Sequence, residues 1–441
     1  MAISLRGVHV PHRKHTKDTP IACMPLVETV TIPMSMHIGK PARLCVKVGD
    51  VVCVGTKIGE ADGMVSSPVY SSVSGKVTKI KDFLLSSGSY CPAVVIESDG
   101  AMTSDPALAA PVVSSREDLI AAIRESGVVG LGGAGFPTHV KFNADPERIK
   151  YLIINGAECE PYVTSDSMTM EKRSDDMEYA LREICKYYEN IEKVIIGIEK
   201  NKKNAIYSMR RLGERVNNYC DFRVKVLPAV YPQGGEKVLV YKAIKKMIPV
   251  GKLPIDVGCI VINCTTLAAI GEYLKTGMPL VKKCVTVDGA TVQTPQNVTV
   301  PIGTSMQNVF DFCGGLTEEP AKLIYGGPMM GITVPSADAP ILKNTNAILA
   351  LSEKEARLPQ TTACIRCGAC TNTCPFGLAP ASIAKAYENK DAQALDKLCV
   401  NGCMECGCCS FVCPANRPLV QTNKLAKVFL REEKAKEEAK S

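Results

Sequence analysis

The first hundred residues alternate short apolar runs with turns that contain glycine, aspartate or threonine. Residues 1–26 form a polar arm with histidines at positions 9, 12 and 15, and we expect this arm to lie on the surface. From residue 27 to residue 100 the pattern predicts β strands, because runs rich in valine and isoleucine are separated by turn signals. The predicted strands cover residues 42–48, 51–54, 65–67 and 75–79.

The region from residue 116 to residue 270 alternates between helical and strand periodicity. A linker rich in alanine, proline and serine precedes it at residues 101–115. Helices are predicted at residues 116–126, 170–188, 202–216 and 236–246, and strands at residues 151–155, 193–198, 222–227 and 258–263. This alternation predicts a mostly parallel sheet with helices on its faces.

The last third of the chain divides into three smaller regions. Residues 271–340 return to β character with one helix near residues 305–312, which predicts a small β-grasp-like unit. A cysteine-rich domain follows at residues 341–423, and residues 424–441 form a tail of mixed charge that we expect to be a solvated helix. The predicted fold class is therefore multidomain, α/β plus β.

Composition excludes several classes of protein. The chain has 441 residues, of which 46% are hydrophobic and 22% are charged, as in ordinary globular proteins. Tryptophan is absent and the formal charge is only +7, so we do not expect nucleic-acid binding. No apolar run approaches the ~20 residues of a membrane-spanning helix, and the N-terminus has no signal-peptide core. Any association with a membrane is therefore expected to be peripheral.

Two cysteine runs carry the clearest chemistry in the sequence. Each fits the pattern Cys-x2-Cys-x2-Cys-x3-Cys-Pro, which is typical of proteins with two [4Fe–4S] clusters. In this pattern three cysteines bind one cluster and the fourth binds the neighbouring cluster. The spacing predicts a first cluster held by Cys364, Cys367, Cys370 and Cys413, and a second held by Cys403, Cys406, Cys409 and Cys374.

Other uses of these cysteines fit less well. A structural zinc site needs four ligands and not a doubled run of four with a proline after each. A disulfide framework belongs to small secreted chains. Cys408 competes with Cys409 as a ligand, but only Cys409 keeps the spacing, so Cys399 and Cys408 are interpreted as spare thiols.

A glycine-rich run indicates a second chemical site. Gly130, Gly132, Gly133 and Gly135 lie within six residues and are followed by Phe136. Glycines let backbone N–H groups approach a phosphate or a flat ring without a Cβ atom in the way. A flexible surface loop is the alternative interpretation, but the run favours a ligand cradle.

Three further segments follow strands or open helices in the same domain. Glu158 and Glu160 come directly after a predicted strand, at alternating positions that would point both carboxylates the same way. Gly234 opens a predicted helix whose N-terminus could hold an anion. Asn263 and Thr266 follow another strand, where they could hold phosphate or cap the next helix.

The first β region resembles the flattened sandwich of biotinyl and lipoyl carriers. The resemblance rests on the Val-Gly-Asp-Val-Val segment at residues 48–52 and on residues 66–77. In those carriers a lysine stands at the hairpin tip, whereas the tip here is Asp62, Gly63 and Met64. We therefore expect a docking or packing module rather than a swinging arm.

Taken together, these motifs resemble the RnfC proteins of Rnf complexes, which are membrane ferredoxin:NAD⁺ oxidoreductases. The resemblance starts at the Gly-Val-His-Val-Pro-His segment of residues 7–12 and continues through the glycine run, residues 155–166, residues 231–237 and both cysteine runs. The central domain is also similar to the NADH-oxidising flavoprotein of complex I, and the segment after it to the β-grasp SLBB unit. The complex I flavoprotein has a single cluster, so the doubled cysteine motif argues against that identity.

The resemblance implies cofactors and the residues that bind them. It implies FMN held by Gly130, Gly132, Gly133, Gly135, Lys141, Asn155, Glu158, Gly234, Asn263 and Thr266. It implies a catalytic contact with NADH from Phe136, Glu160 and Glu236. Leu131 and Ala157 stand where the complex I flavoprotein has arginine and aspartate, so no FMN contact is assigned to either residue.

The implied function is electron transfer between NAD(H), FMN and two clusters. The implied partners are the Rnf membrane subunits and the subunit that accepts electrons from ferredoxin, at the cytoplasmic face of the cell membrane. Three alternatives stay open at this point. They are a microcompartment cobalamin reductase of the same architecture, a soluble NADH dehydrogenase with its own acceptor, and a non-catalytic electron-relay or docking subunit.

Overall fold

The computed structural model describes residues 7–85 and 88–439, so residues 1–6 of the predicted arm and residues 440–441 of the predicted tail lie outside the described residues. The strands are Ile21–Cys23 (β1), Thr29–Pro33 (β2), Arg43–Leu44 (β3), Val51–Val52 (β4), Lys57–Glu60 (β5), Val69–Tyr70 (β6), Gly75–Leu84 (β7), Tyr90–Ser98 (β8), Tyr151–Gly156 (β9), Lys193–Glu199 (β10), Phe222–Leu227 (β11), Cys259–Asn263 (β12), Lys282–Asp288 (β13), Gln296–Pro301 (β14), Lys322–Tyr325 (β15), Ile332–Val334 (β16) and Ala347–Leu351 (β17). The α-helices are Arg116–Glu125 (α1), Thr138–Phe142 (α2), Ser165–Lys172 (α3), Ser174–Tyr187 (α4), Lys203–Val216 (α5), Glu236–Ile244 (α6), Cys264–Thr276 (α7), Met306–Phe312 (α8), Glu353–Ala356 (α9), Ala369–Thr373 (α10), Pro380–Glu388 (α11), Ala392–Lys397 (α12), Cys408–Phe411 (α13) and Leu419–Glu438 (α14).

The first domain is a β sandwich, as predicted, but its strands differ in extent. One antiparallel sheet has the order β2-β8-β7-β4 and the other the order β3-β5-β6. Residues 65–67 are not a strand, because Val65 O accepts from Lys40 N at 3.0 Å and Ser67 N donates to His37 Nε2 at 3.1 Å. These contacts occupy backbone groups that a strand would use, and regular pairing begins only at Val69. Residues 42–48 likewise pair only over β3.

The sandwich packs onto the parallel-sheet domain. A single hydrophobic core contains Ile32 and Ile58 from the sandwich together with Ile154 and Leu267 from the α/β domain. Tyr70 Oη also donates to Glu125 O at 2.5 Å, at the end of α1. The sandwich is therefore a packing module attached to the side of the next domain.

The α/β domain has the predicted parallel sheet, with strand order β11-β10-β9-β12. Strands β9, β10 and β12 are short and mostly apolar because helices cover both faces of the sheet. Asn155 at the end of β9 lies in register with Asn263 at the end of β12. The register places these two side chains on neighbouring strands at one edge of the sheet.

The single helix predicted over residues 170–188 is wrong. Two helices, α3 and α4, meet at Arg173, whose backbone (φ −122°, ψ 28°) is not helical. The Arg173 guanidinium donates to Asp176 at 2.9 Å and to Glu272 at 2.6 Å. These ion pairs stabilise the non-helical backbone between α3 and α4 and link the start of α4 to α7.

The β-grasp region forms a six-stranded sheet with the order β1-β14-β13-β17-β15-β16. Its first strand comes from the arm, because Ile21–Cys23 pairs in parallel with residues 297–299. Strand β17 of this sheet lies beyond residue 340, where the predicted β-grasp region ends. Helix α8 covers a core that includes Val298, Phe310 and Ile348.

The cysteine-rich domain consists of short helices and loops, and the long helix α14 packs against them. Helix α14 begins at Leu419, five residues before the predicted start, because its first turns are buried against the cysteine motifs. Further along, Ala426 and Leu430 pack on Ile383 of α11. No helix in the described ranges combines the length and the apolar character needed to cross a membrane.

Candidate flavin and iron–sulfur sites

Several of the predicted nucleotide-site residues meet at the carboxyl edge of the parallel sheet. In such sheets ligands bind outside the carboxyl ends of the strands. Asn155 Nδ2 donates to Gly234 O at 2.9 Å, and Asn263 Nδ2 donates to Asp166 Oδ2 at 2.7 Å. The sheet therefore brings two strand ends, the turn before α6 and the start of α3 to one place.

The glycine-rich loop lies across this edge and is held by Thr266. Leu131 N donates to Thr266 Oγ1 at 3.0 Å, and Thr266 Oγ1 donates to Val129 O at 3.1 Å. A side chain at Gly132 would collide with Asn263 Nδ2, so this glycine is required by close packing. Thr266 and Asn263 therefore shape the loop, and Asn263 also caps α7 through Thr265 N at 2.8 Å.

The outer part of the loop is open. Gly132, Gly133 and Ala134 are exposed, and a Cβ atom at Gly133 would meet no atom within 4 Å. Asn344 Nδ2 donates to Gly133 O at 3.1 Å, and Ile38 N donates to Gly135 O at 3.1 Å. Neighbouring domains thus fix the loop while leaving free space beside Gly133, as a ligand cradle requires.

Lys141 and Glu236 form an ion pair with each other. Lys141 Nζ donates to Val261 O at 2.7 Å and lies 3.6 Å from Glu236 Oε2. Glu236 is exposed at the start of α6. Phe136 is half-buried, and its carbonyl accepts from Gly130 N at 2.9 Å.

Glu158 and Glu160 do not point the same way, contrary to the expectation from their spacing. The carboxylate of Glu158 is buried and accepts from Lys202 Nζ at 2.9 Å, Ser167 Oγ at 2.7 Å and Asp166 N at 2.7 Å. The carboxylate of Glu160 accepts from Met329 N at 3.0 Å in the β-grasp domain. The strand ends at Gly156, so the alternation of an extended chain no longer applies here.

The two carboxyl groups also differ in their electrostatic surroundings. Burial raises the pKa of Glu160 to about 7, and its Oε1 atom is buried without a hydrogen-bond partner in the described chain. Burial and the nearby Glu158 raise the pKa of Asp166, which accepts from Thr265 Oγ1 at 2.7 Å. Glu158 therefore forms a buried ion pair with Lys202, whereas Glu160 has no ion-pair partner among the described residues.

Two buried lysines that the sequence did not single out support the glycine-rich loop. Lys283 Nζ donates to Leu131 O and, at 3.0 Å, to Lys343 O. Lys343 Nζ donates to Gly127 O at 2.7 Å and to Pro68 O at 2.5 Å. Burial lowers the pKa of each lysine to about 7. They join the sandwich, the α/β domain and the β-grasp sheet beneath the loop.

The two cysteine motifs have the same backbone path. Left-handed residues occur at equivalent positions, at Arg366 and Glu405 before the second cysteine of each run and at Gly368 and Gly407 after it. They recur after the proline that ends each run, at Gly377 and Asn416. Because left-handed backbone is uncommon outside glycine, three matched pairs indicate one structural repeat.

The ligand set predicted for the second cluster meets at one cavity. Cys374, Cys403, Cys406 and Cys409 line it together with Cys408 and apolar neighbours that include Phe376, Leu378 and Val420. Cys374 therefore leaves its own run to join the other, as a crossing ligand must. Cys370 and Cys413 pack against the apolar cluster that contains Cys409, while Cys364 and Cys367 are exposed. The four cysteines around the cavity are the donor set that one [4Fe–4S] cluster needs.

The second cysteine run contacts the nucleotide site. Tyr231 Oη donates to Cys406 O at 2.7 Å, and Cys159, Tyr231, Cys406 and Cys408 belong to one apolar cluster. A side chain at Gly235 would collide with the Met404 methyl group. The first run makes no such contact in the part of the chain that is described.

A Glu160→Gln variant should reveal the buried carboxyl in the pH dependence of stability. The folded pKa of about 7 lies above the ordinary value of 4.5, so the folded chain binds more protons than the unfolded chain between these values. Wild-type stability should therefore fall as pH rises from 4.5 to 7, by roughly 3 kcal/mol, since each pKa unit is worth about 1.4 kcal/mol. Glutamine cannot titrate, so the stability of the variant relative to wild type should rise over this range in denaturation measurements.

The exposed Glu318 provides the control for this experiment. A Glu318→Gln variant should follow the wild-type pH profile. If the Glu160→Gln and wild-type profiles run parallel from pH 5 to pH 8, the carboxyl of Glu160 is not buried in the way described.

Four protein families match consecutive parts of the chain. They are described as the RnfC barrel sandwich hybrid domain (residues 4–101), the Nuo51 FMN-binding domain (residues 123–272), the SLBB domain (residues 284–333) and the 4Fe-4S dicluster domain (residues 352–417). These matches confirm the predicted order of a sandwich, an α/β domain, a β-grasp unit and a two-cluster domain. They also confirm FMN and iron–sulfur clusters as the cofactors.

Related proteins extend the similarity to most of the chain. The RnfC protein of the Na⁺-translocating ferredoxin:NAD⁺ oxidoreductase complex of Acetobacterium woodii is 41% identical over 386 residues, covering 86% of each chain. Its counterpart in the proton-translocating complex of Clostridium ljungdahlii is 39% identical over 383 residues, covering 86% of this chain and 83% of the relative. The counterpart in the ion-translocating oxidoreductase complex of Rhodobacter capsulatus is 38% identical over 445 residues, covering 99% and 85%.

A solved structure shares the fold. An NAD⁺-reducing [NiFe]-hydrogenase in the H₂-reduced state matches with a TM-score of 0.50 and 16% identity, over 72% of this chain and 61% of that one. At this identity the likeness concerns the fold alone. The identities of about 40% over most of both chains are decisive, and this chain belongs to the RnfC family of ion-translocating ferredoxin:NAD⁺ oxidoreductase complexes.

Proposed function

We propose that this chain is the peripheral subunit of a membrane-bound, ion-translocating ferredoxin:NAD⁺ oxidoreductase that exchanges electrons between NAD(H), FMN and two [4Fe–4S] clusters. The observation that carries the proposal is the direct contact between the nucleotide site and the second cysteine run, through Tyr231 and Cys406. Contact between a nucleotide site and a cluster site favours a role in electron transfer over a role limited to nucleotide binding.

FMN is proposed to lie beside the open face of the glycine-rich loop. Gly133 offers free space, and Gly130, Gly132 and Gly135 keep the backbone of the loop compact. The remaining proposed contacts are Lys141, Asn155, Glu158, Gly234, Asn263 and Thr266. Lys141, Asn155, Glu158, Asn263 and Thr266 already have protein partners, so we propose that they act mainly by shaping the cradle.

NAD(H) is proposed to contact Phe136, Glu160 and Glu236 at the same edge of the sheet. Phe136 follows the glycine run directly, and Glu236 opens α6 beside Lys141. Glu160 approaches from the loop after β9 and is fixed by Met329 N. These residues orient the substrate, and none is required to move a proton in hydride transfer.

The chemistry of the bound groups follows from their nature: a flavin exchanges a hydride with NAD(H) and passes electrons on singly, and iron–sulfur clusters carry single electrons. The protein contributes the order of the sites. The cavity lined by Cys374, Cys403, Cys406 and Cys409 adjoins Tyr231 and Gly235, whereas Cys364 and Cys367 are exposed. The second cysteine run is therefore proposed to face the flavin, and the first to face the electron partner.

The proposed partners are the membrane subunits of the Rnf complex and the subunit that receives electrons from ferredoxin. The names of the related proteins support membership of such a complex. The ion path is proposed to lie in the other subunits, and this chain to be attached to them at the cytoplasmic face of the cell membrane.

The test is an anaerobic NADH titration of the protein reconstituted with clusters and FMN, followed by visible absorbance and low-temperature EPR. Flavin bleaching followed by a reduced-cluster EPR signal is expected. Flavin bleaching with EPR-silent clusters would place the cluster potentials below that of NADH and favour electron flow from ferredoxin. Absence of flavin binding and of any NADH response would refute the proposed function.

A further inference from the structure

The N-terminal arm was expected to lie on the surface, but residues 7–19, here called the strap, run along the junction of three domains. Val8 and Tyr231 exchange two backbone hydrogen bonds, of 2.8 and 3.0 Å. Val8 and Val10 are buried in the apolar cluster that contains Cys406. At the other end of the strap, Asn297 Nδ2 of the β-grasp sheet donates to Thr16 O at 3.1 Å.

Within the strap, Lys14 makes an unusual set of contacts. Its ammonium group donates to Glu158 O at 3.0 Å, to Glu160 O at 2.7 Å and to Val163 O. An ammonium group has three donors, and here all three serve carbonyl groups of one loop. Burial and the nearby Lys202 lower the pKa of Lys14 to about 8, so enclosing this group carries an electrostatic cost.

The loop that Lys14 holds has no regular secondary structure. Residues 157–164 form no helix or strand. Tyr162 has a left-handed backbone (φ 69°), which is strained for an aromatic residue and persists only when surrounding contacts impose it. The strap supplies part of those contacts, because Tyr162 N donates to His12 O at 2.9 Å and the Arg13 guanidinium donates to the Tyr162 hydroxyl group. The Tyr162 hydroxyl group also donates to Glu355 Oε1 at 2.9 Å.

The same loop carries Glu158 and Glu160. We propose that Lys14 is a positioning residue for NAD(H) binding, which acts by fixing the backbone of residues 158–163; this inference rests on the proposed function. Lys14 donates to the main-chain oxygens of both glutamates and not to their carboxylates. It therefore fixes the backbone positions from which the two side chains extend. An apolar side chain could fill the same space at less electrostatic cost but would leave three carbonyl groups without donors.

The test compares Lys14→Met with Lys17→Met in the cluster-loaded, FMN-loaded protein. Lys17 lies in the same strap, is exposed and pairs only with the neighbouring Asp18 at 3.7 Å. Equilibrium binding of NAD⁺ and of FMN is measured, together with amide hydrogen exchange of residues 158–164. Lys14→Met is expected to weaken NAD⁺ binding at least tenfold and to speed exchange in the loop, whereas Lys17→Met should match wild type. FMN affinity should stay within threefold, because Lys202, Ser167 and Asp166 hold the Glu158 carboxylate independently of Lys14.

Two more variants distinguish an effect of Lys14 on NAD⁺ binding from a general loss of protein stability. Thr16→Val removes the buried contact between Thr16 and Thr164 hydroxyls (2.5 Å) and should lower thermal stability without changing NAD⁺ affinity. Lys14→Gln keeps amide donors and should weaken NAD⁺ binding less than Lys14→Met, which also covers the case in which Lys14→Met fails to fold. Unchanged NAD⁺ affinity in a folded Lys14 variant would overturn the inference alone, whereas failure of the wild type to bind NAD⁺ would refute the proposed function and the inference with it.

Discussion

Replacing Cys374 with serine is expected to destroy the cluster of the second cysteine run, although Cys374 belongs to the first run in sequence. Cys374 lines the same cavity as Cys403, Cys406 and Cys409. It also packs beside Cys403 in the core of the domain. In this motif four thiolates hold each [4Fe–4S] cluster, so we expect the loss of one thiolate to release the cluster and the Cys374→Ser protein to contain about half of the wild-type iron.

The pattern among single variants tests the crossing of ligands. Cys374→Ser and Cys403→Ser should abolish the same EPR signal, while Cys413→Ser and Cys364→Ser should abolish the other. Cys408→Ser is the matched control, because Cys408 is buried next to Cys409 but lies outside the spacing. If Cys374→Ser instead removes the signal that Cys364→Ser removes, each run binds its own cluster and the crossing is wrong.

The same variants test the proposed order of the sites. With the flavin-facing cluster missing, NADH should still bleach the flavin in Cys374→Ser but should no longer reduce the remaining cluster, which dithionite still reduces. In Cys413→Ser the flavin-facing cluster should stay reducible by NADH. Equal behaviour of the two variants would contradict the order, since the asymmetry follows from the contact of Tyr231 with Cys406.

The cysteine motifs were predictable because their chemistry is local. Each run fixes three ligands within seven residues, and the proline after the fourth cysteine is part of the same pattern. The parallel sheet was predictable for a similar reason, since apolar periodicity reports burial along a strand. Asn155 and Asn263 therefore appeared at strand ends in the sequence and meet at the edge of the sheet in the structure.

The strap and the buried lysines could not be predicted because their roles depend on distant segments. The carbonyl partners of Lys14 lie 144 to 149 residues away in the sequence, and Lys343 reaches Pro68 across 275 residues. A lysine in a polar segment normally indicates solvent exposure, and no periodicity marks the exceptions. The divergence of Glu158 and Glu160 was missed for a related reason: it depends on where β9 ends, and strand ends are poorly encoded in a sequence.

Replacing Gly133 with valine is expected to remove most FMN binding without disturbing the fold. A Cβ atom at this position meets no protein atom within 4 Å, the residue is exposed and its backbone is not left-handed. The flavin-free variant should therefore keep the wild-type melting temperature. The added side chain occupies the space proposed for FMN, so its dissociation constant should rise at least tenfold, equivalent to about 1.4 kcal/mol.

Gly132→Ala is the contrasting variant. Its Cβ atom would collide with Asn263 Nδ2, which donates to Asp166 Oδ2, and would displace the side chain whose Oδ1 caps α7, so both stability and FMN binding should fall. FMN binding is measured by quenching of flavin fluorescence, and stability by thermal melting of the flavin-free proteins. Because only Gly133→Val separates the two effects, wild-type FMN affinity in that variant would mean that FMN binds away from the open face of the glycine-rich loop.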